Sequence, residues 1–404
     1  MTLGGLIILA GALFLSCAPV FADSISASNT NNGFGSSYTL TAVCTGNLRK
    51  VKLQTTLDLC RELYNAGLQE RIGAWKNRTP VNCYDQINQL PAIKEIREDL
   101  AAVFSQVLQD TLHRLDKTYR AFFGRLQRGQ KAGFPRFKGP HRYDSFTYPQ
   151  SGFALNGRLQ LSKIGNIKIK QHREIVGEVK TLTIRREAGC WYACFSVEFA
   201  PTHLPSNSKS IGLDMGLETF ARRSDGVPIE NPRYYRKAQA KLRRAQRRVA
   251  RRLNRKSKRR RKAILLLQKA HAHVANQRKD FQHQESYKLV RDFGTIVVED
   301  LNIKGLSGGL LSKAVHDVGW SSFIHRLSYK AENAGRQLLK VDPQYMSQEC
   351  PNCHAIEKKQ LSERVHRCDC GLTMHRDQAA ARVILGRGLR LQAETKPEVR
   401  VSVA

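Results

Sequence analysis

The sequence predicts an α+β chain of two bodies. A small N-terminal β-barrel carries a helical insert, and an α/β domain with an inserted metal-binding ribbon follows. Three observations predict this. Residues 152–200 read as short strands, with "VKTLTIRREAGCWYACFSVEFA" turning at Glu-Ala-Gly. Two apolar runs, "IGLD" at 211–214 and "TIVVE" at 295–299, each end in an acid and are separated by a basic helical stretch. Two close cysteine pairs, 350/353 and 368/370, have the spacing of a metal site.

Charge narrows the function before any motif does. The 404 residues hold 67 Lys+Arg against 34 Asp+Glu, a formal net of +33. Each neutralised phosphate releases counterions, so such an excess implies a polyanion partner. A membrane surface could also attract it, and solubility alone is the blander reading. Hydrophobic content of 41% and charged content of 25% fit a mostly globular chain.

The N-terminus differs from the rest. Residues 3–22, "LGGLIILAGALFLSCAPVFA", carry no charge and resemble a signal peptide or short anchor, though without a positive n-region. Residues 1–23 are therefore set apart, and 24–47, Ser/Asn/Gly-rich at first, are expected to be linker. The barrel domain is expected over 48–210, with the helical insert at about 57–128. Leu57, Cys60, Tyr64, Leu68, Ile72 and Trp75 recur at helical spacing. A second helical region runs over about 91–128, and Pro91 suits a first turn. "GQKAGFPRFKGPHRYDSFTYP" then interleaves aromatic and basic residues. Single-stranded nucleic-acid surfaces do so, as do plain loops with packed aromatics. Barrels of short basic strands are a common oligonucleotide platform.

The α/β domain is expected over 211–390. Residues 233–262 hold 17 Lys or Arg among 30 and no acid, with Leu242, Ala245, Val249 and Leu253 on one face. That seam predicts a docked, phosphate-facing helix, with a second helix to about 292 packing back on it. "WSSFIHRLSYKAENAGRQLLKVDP" reads as helix, Gly turn and strand. Residues 391–404 are expected to form a flexible tail.

"CPNC" and "CDC" are separated by 14 residues. Cys350, Cys353, Cys368 and Cys370 can enclose Zn²⁺ in a tetrahedron; the rival is two local disulfides, one of them strained across a single residue. Such a closed site is structural. His354, His366 and His375 are read as surface or supporting groups. Cys17, Cys44, Cys60, Cys83, Cys190 and Cys194 show no pattern and are read as mostly reduced and buried.

Three acids complete the pattern. Asp214 follows an apolar strand and precedes Met215-Gly216, where glycine allows close backbone approach. Glu299 ends a buried-type strand, where a carboxylate is costly unless solvated or metal-bound. Its neighbour Asp300 points to the other face. Asp377 precedes "QAAARVIL", where helix capping is the plain alternative. Singly, each is an ordinary turn or cap acid. Strand-acid, strand-acid and acid-helix, with a basic helical insertion between the first two, is the layout of an RNase H-like nuclease. Phosphodiester cleavage with two Mg²⁺ needs such converging carboxylates.

The landmarks "LCRELYNAGLQERI", "VLQDTLHRLDKTYRAFF", "GFPRFKG", "SFTYP", "IGLDMGL" with "SDG", "NPRYYRKAQAKLRRAQRR", "VVEDLNIKGL", "YMSQECPNC" and "CDCGLTMHRD" occur in order over about 57–385. By them the chain resembles the TnpB (OrfB) family of insertion-sequence proteins, related to type V CRISPR effectors. The resemblance implies an N-terminal β-barrel, the wedge domain, with a helical recognition insert. It implies a RuvC-type nuclease domain with a basic helical insertion (about 233–292) and a zinc ribbon (about 345–372). Asp214, Glu299 and Asp377 then correspond to the Mg²⁺-binding acids, Glu299 being preferred over Asp300. Cys350, Cys353, Cys368 and Cys370 correspond to the zinc ligands. The implied activity is RNA-guided cleavage of DNA, with a guide RNA from the transposon end and a double-stranded DNA target. A cytoplasmic, nucleoid-associated protein without a stable membrane partner is expected.

Four departures stand out. His354 replaces the usual Gly after "CPNC", and the second pair is CxC. Ala379 stands where the family usually has Asn, which is expected to weaken activity. The N-terminal segment replaces a short strand and turn; a fused 5′ end with a non-Met start near Val43 or Val51 would account for it, since the next methionine is Met215. Two other classes stay open: a non-cleaving copy that binds RNA and DNA, and a transposase that joins DNA ends.

Overall fold

The computed structural model describes residues 36–45, 48–140, 142–171, 174–201, 203–302, 305, 312–360 and 363–395. The apolar segment 3–22 lies outside them. No helix among the described residues is long and apolar enough to cross a membrane.

The first half is a seven-stranded sheet packed on helices. The strands are β1 (Ser36–Thr45), β2 (Ser145–Tyr148), β3 (Phe153–Asn156), β4 (Arg158–Leu161), β5 (Gly165–Lys170), β6 (Glu178–Glu187) and β7 (Cys190–Phe199), in spatial order β2-β6-β7-β1-β5-β4-β3. Ala188 and Gly189, at φ 48° and 82°, form the turn between β6 and β7, where the Glu-Ala-Gly turn was expected. The two edge strands, β2 and β3, are joined by residues 149–152 alone. Their Tyr148 and Phe153 rings stand 6.4 Å apart, so the sheet curls back toward itself.

The helices are α1 (Leu48–Lys76), α2 (Cys83–Asn88), α3 (Leu90–Ile96), α4 (Glu98–Ala101) and α5 (Ser105–Gln127). Leu57, Cys60, Tyr64 and Leu68 of α1 share a core with Leu108, Leu112 and Leu115 of α5 and with Phe146 and Phe195 of the sheet. Periodicity overreached at Trp75, which is 81% exposed. The helical region 91–128 is not continuous. Pro91 does open a helix, but Arg97 leaves helical geometry and Phe104 is extended.

One boundary moves. Residues 36–45 fall inside the expected linker 24–47, yet they form β1, pairing Ser36–Cys44 with Trp191–Phe199 and Val43–Thr45 with Lys168–Lys170. β1 therefore extends to both sides of Val43. Its "YTLTAV" core is rich in β-prone residues, a signal hidden by the polar run before it.

The second half is a five-stranded sheet: β8 (Ser210–Met215), β9 (Ala221–Arg223), β10 (Pro228–Ile229), β11 (Thr295–Glu299) and β12 (Gln337–Val341), ordered β10-β9-β8-β11-β12. β8, β11 and β12 run parallel, and β9 is antiparallel to β8. Around it lie α6 (Tyr234–Ala250), α7 (Lys258–Asp292), α8 (Ser312–Val318), α9 (Trp320–Asn333) and α10 (Arg376–Thr395). A hairpin of β13 (Val365–Arg367) and β14 (Thr373–His375) leads into α10.

Strand alternation assigns the two faces. Ile211, Leu213, Ile296 and Val298 share a core with Phe323 and Leu327 of α9. Val297, from the other face of β11, packs with Val383 and Ile384 of α10. Two glycines bring α10 close. A Cβ on Gly212 would stand 2.2 Å from the Ala381 carbonyl oxygen, and one on Gly388 would stand 2.4 Å from Val297 Cγ1.

The basic stretch 233–262 is two helices instead of one. α6 ends at Ala250, and α7 starts at Lys258 behind Ser257, whose Oγ accepts from the Arg259 N–H at 3.2 Å. Leu242 is buried as expected, but Leu253 sits in the turn and is 86% exposed. At the other end, α10 continues through Thr395, past the expected limit of 390. Nothing in "LRLQAET" stops a helix before Pro397.

Candidate acid cluster and metal centre

Register brings the first two acids together. Val298 pairs with Leu213 in the parallel β8–β11 ladder, so Asp214 and Glu299 occupy the next position on adjacent strands. Asp214 follows Gly212 by two residues and Glu299 follows Val297 by two, so both belong to the α10 face. Asp377 lies in the first turn of α10, one turn before Ala381 and its contact with Gly212. Asp300 is turned outward, 3.5 Å from Lys340 Nζ.

The electrostatics agree with this convergence. Burial pushes the Asp214 carboxyl up to about 8, and the charges of Glu299 and Asp377 push the same way. Arg376 and Arg222 oppose them. Glu299 is 8% exposed, and burial raises it to about 7 against the charge of Arg387. Buried, mutually repelling carboxylates must bind protons or cations. This donor set fits a hard divalent cation such as Mg²⁺.

Asp377 is held from below. Its backbone N–H donates to His375 Nδ1 at 3.2 Å. The neighbouring Arg376 donates to the carbonyls of Gln360 and Glu363 at 3.0 and 3.3 Å. It thereby ties the helix start to the cysteine segment.

The four cysteines meet as expected. Their sulfurs all lie within 4.8 Å of one another. The nearest pairs are Cys353–Cys368 at 3.4 Å and Cys350–Cys370 at 3.7 Å. These join the two motifs crosswise, and all four thiols are free, so local disulfides are not formed. A Zn–S bond of about 2.3 Å in a tetrahedron implies S···S of about 3.8 Å, which this cluster fits. The Leu372 N–H and the Asn352 side chain hold the Cys370 thiol down to about 6, favouring the thiolate.

His354 explains one departure. Its φ of 62° is left-handed, the conformation glycine adopts freely. Its Nδ1 lies 2.9 Å from Glu349 Oε1, and its Nε2 lies 3.0 Å from Arg390 Nη2. The reading of His366 as a surface group fails: it is 1% exposed, with Lys359 against its ring. Gly216 serves a turn, where a Cβ would stand 3.0 Å from the Thr219 carbonyl oxygen.

Sequence reasoning missed the arginines. Arg387 reaches from α10 to Glu349 Oε2 at 2.5 Å and to the carbonyls of Asp342 and Gln344 at 3.2 and 2.9 Å. It clamps the root of the cysteine segment to the helix carrying Asp377. Arg222 pairs in register with Asp214. Counting back through the β8–β9 hairpin would have found that pair; no local signal marks Arg387.

Comparison with known proteins places these features in a family. A family model described as "Probable transposase", OrfB_IS605, matches residues 194–309. The Cas12f1-like TNB domain model matches 320–384. A Streptomyces pristinaespiralis protein named "Putative RNA-guided DNA endonuclease" is 32% identical over 354 residues, covering 85% of this chain and 87% of that protein. "Putative RNA-guided DNA endonuclease InsQ" of Escherichia coli (strain K12) is 34% identical over 311 residues, 70% of this chain and 74% of the relative. The solved Cas12f1–sgRNA–target DNA complex has a similar fold, with a TM-score of 0.52 at 13% identity over 82% of each chain. With 32% identity sustained over 85% of its length, the chain belongs to the TnpB/OrfB transposase family.

Proposed function

We propose that this protein is an RNA-guided, Mg²⁺-dependent DNA endonuclease, encoded by an insertion sequence and acting in the cytoplasm at the nucleoid. The carrying observation is the arrangement of Asp214, Glu299 and Asp377: a half-buried and a buried strand-end carboxylate face a helix whose first turn supplies the third. The order β10-β9-β8-β11-β12, with one antiparallel strand beside three parallel ones, supports an RNase H-like (RuvC) reading of 211–390. The curled seven-stranded sheet supports a wedge barrel over 48–210 joined by β1, with the recognition insert at about 57–128. The sulfur cluster supports a structural zinc ribbon at about 345–372.

Asp214, Glu299 and Asp377 would hold two Mg²⁺, which when bound supply the charge that activates water and stabilises the leaving oxygen. The protein's own contribution is placement. Close strand–helix packing at Gly212 and Gly388 fixes Asp377 over the strand ends. His375 accepts from the Asp377 N–H and stands 3.9 Å from the Asp377 carboxylate. The zinc ribbon anchors the first turn of α10 through Arg376. Glu218, in the turn after β8, pairs with Arg364, just ahead of β13, at 3.1 Å.

The relatives are named for RNA-guided DNA cleavage, and the +33 charge suits guide RNA and DNA bound together. Among the described residues, none of the 17 Lys or Arg of 233–262 makes an ion pair with a carboxylate, leaving that surface open to phosphates. The test is cleavage of a guide-matched plasmid by the purified protein–RNA complex, with Asp214→Ala as control, after sequencing the co-purified RNA. Matched-site cutting that Asp214→Ala abolishes is expected. Binding without cutting would favour the non-cleaving copy, and cutting independent of the RNA would favour a transposase.

A further inference from the structure

Three arginines surround the acid cluster, and they differ in what occupies them. Arg387 is spent on Glu349 and two carbonyls. Arg376 donates from Nη1 to the carbonyls of Gln360 and Glu363, although its Nε, like that of Arg222, is buried without a partner. Arg222 has one weak partner of this kind. It stands directly opposite Asp214 on the antiparallel neighbour strand, so the two side chains share the α10 face. Despite that, it makes no ion pair with Asp214 or with any other acid among the described residues. Its Nε is buried without a partner. Its one hydrogen bond is a long one, from Nη1 to the Gly226 carbonyl at 3.5 Å.

Gly226 fixes where the guanidinium sits. A Cβ on Gly226 would stand 2.8 Å from the side-chain nitrogen Nε2 of Gln378, the residue after Asp377. The guanidinium therefore lies beside the first turn of α10, at the rim of the acid cluster. A half-buried guanidinium with free donors needs an anion, and its planar fork matches two oxygens of one phosphate.

We propose that Arg222 is a further catalytic residue, whose guanidinium contacts the non-bridging oxygens of the DNA phosphate at the acid cluster. This rests on the nuclease reading above. Arg222 donates hydrogen bonds to the phosphate group while Asp214, Glu299 and Asp377 serve the cations. It adds positive charge where negative charge accumulates as water adds to phosphorus and the ester oxygen leaves. The alternative role, neutralising Asp214 in place of a metal, predicts a different response to Mg²⁺.

The experiment compares Arg222→Gln and Arg222→Lys with the wild-type protein–RNA complex. Cleavage of matched DNA is followed across a Mg²⁺ titration, with thermal melts to confirm folding. Arg222→Gln is expected to cut about 100-fold more slowly at saturating Mg²⁺, without a higher Mg²⁺ requirement. Arg222→Lys, which keeps the charge and loses the fork, should fall between. Wild-type speed for Arg222→Gln at saturating Mg²⁺ would overturn the proposal, as would a defect that excess Mg²⁺ repairs. A second arm needs no cleavage. With Ca²⁺ in place of Mg²⁺, anisotropy of a fluorescein-labelled single-stranded DNA is measured over a NaCl series. Losing one phosphate contact should flatten the slope of log Kd against log salt by about 0.7. If the wild type does not cut, the nuclease reading fails, and this arm still decides: an unchanged slope refutes the contact, and the flattened slope supports it. If Arg222→Gln fails to fold, Arg222→Met, which also removes the charge, carries both arms.

Discussion

Replacing Asp214 with Asn should make the metal-free protein more stable at alkaline pH and remove most of its stabilisation by Mg²⁺. The folded state raises the Asp214 carboxyl from its ordinary 3.8 to about 8, through burial first and then the charges of Glu299 and Asp377. A carboxyl raised on folding binds its proton more tightly in the native state. Between about pH 4 and pH 8 the native protein therefore holds a proton that the unfolded chain has lost. Stability is fully present below about pH 4 and declines as pH rises through about 8. At about 1.4 kcal/mol per pH unit, the whole span has an upper bound of 5–6 kcal/mol. Between pH 6 and 8 the wild type should lose about 2–3 kcal/mol relative to Asp214→Asn.

Mg²⁺ reverses the trend because it displaces the proton. Its binding should release protons and tighten with pH, so the rise in Tm on adding Mg²⁺ should be larger at pH 8.5 than at pH 6.5. The assay is urea melting of both proteins at several pH values, in chelator-free buffer without Mg²⁺ and then with Mg²⁺, so that zinc is retained. A stability difference that stays flat from pH 6 to 8 would refute the reasoning, as would equal Mg²⁺ stabilisation in the two proteins.

Four other outcomes follow from particular contacts. Cys350→Ser should release zinc, read by a chromogenic chelator, and lower Tm, because the 350–370 segment has little core of its own. Arg387→Ala should lose about 2–3 kcal/mol of stability by leaving Glu349, 7% exposed, without its bidentate partner; a melt within error of wild type would dismiss the clamp. Gly212→Ala, with a Cβ 2.2 Å from the Ala381 carbonyl oxygen, should displace α10, lowering stability by about 1–3 kcal/mol and slowing cleavage out of proportion to that loss. Ala379→Asn buries an amide at a site 2% exposed and should lower stability by about 1–3 kcal/mol; an unchanged Tm with faster Mg²⁺-dependent cleavage would instead restore the view that an Asn there assists the acids.

Asp214 and Glu299 stand out in the sequence because each ends an apolar run, whereas Asp377 is marked only by the helix that follows it. "IGLD" and "TIVVE" announce strands by continuous apolar residues, and a carboxylate at the end of such a run has few innocent uses. The cysteines were legible by spacing alone. What stayed hidden depended on contacts far apart in sequence. β1 is set by pairing with Trp191–Phe199 and Lys168–Lys170, more than 120 residues away, which no window over Ser36–Thr45 contains. The break between α6 and α7 defeated a periodicity that Leu253 continues without interruption; only Ser257, as a cap, marks it.

The same limit governs the site's support. Gly212 and Gly388 look unremarkable in sequence, yet each removes the Cβ that would hold α10 away from the sheet. Ala379 shows the limit from the other side. By motif it is two residues from Asp377 and groups with the acid cluster. On a helix, residues two apart point to opposite sides, and Ala379 is buried while the Asp377 side chain stays 21% exposed. A motif fixes neighbours along the chain, whereas metal affinity depends on neighbours in space. On this geometry Arg376 and then Arg222 offset the acids' charge at Asp214, and the hairpin places Arg222 across from Asp214, where no motif includes it.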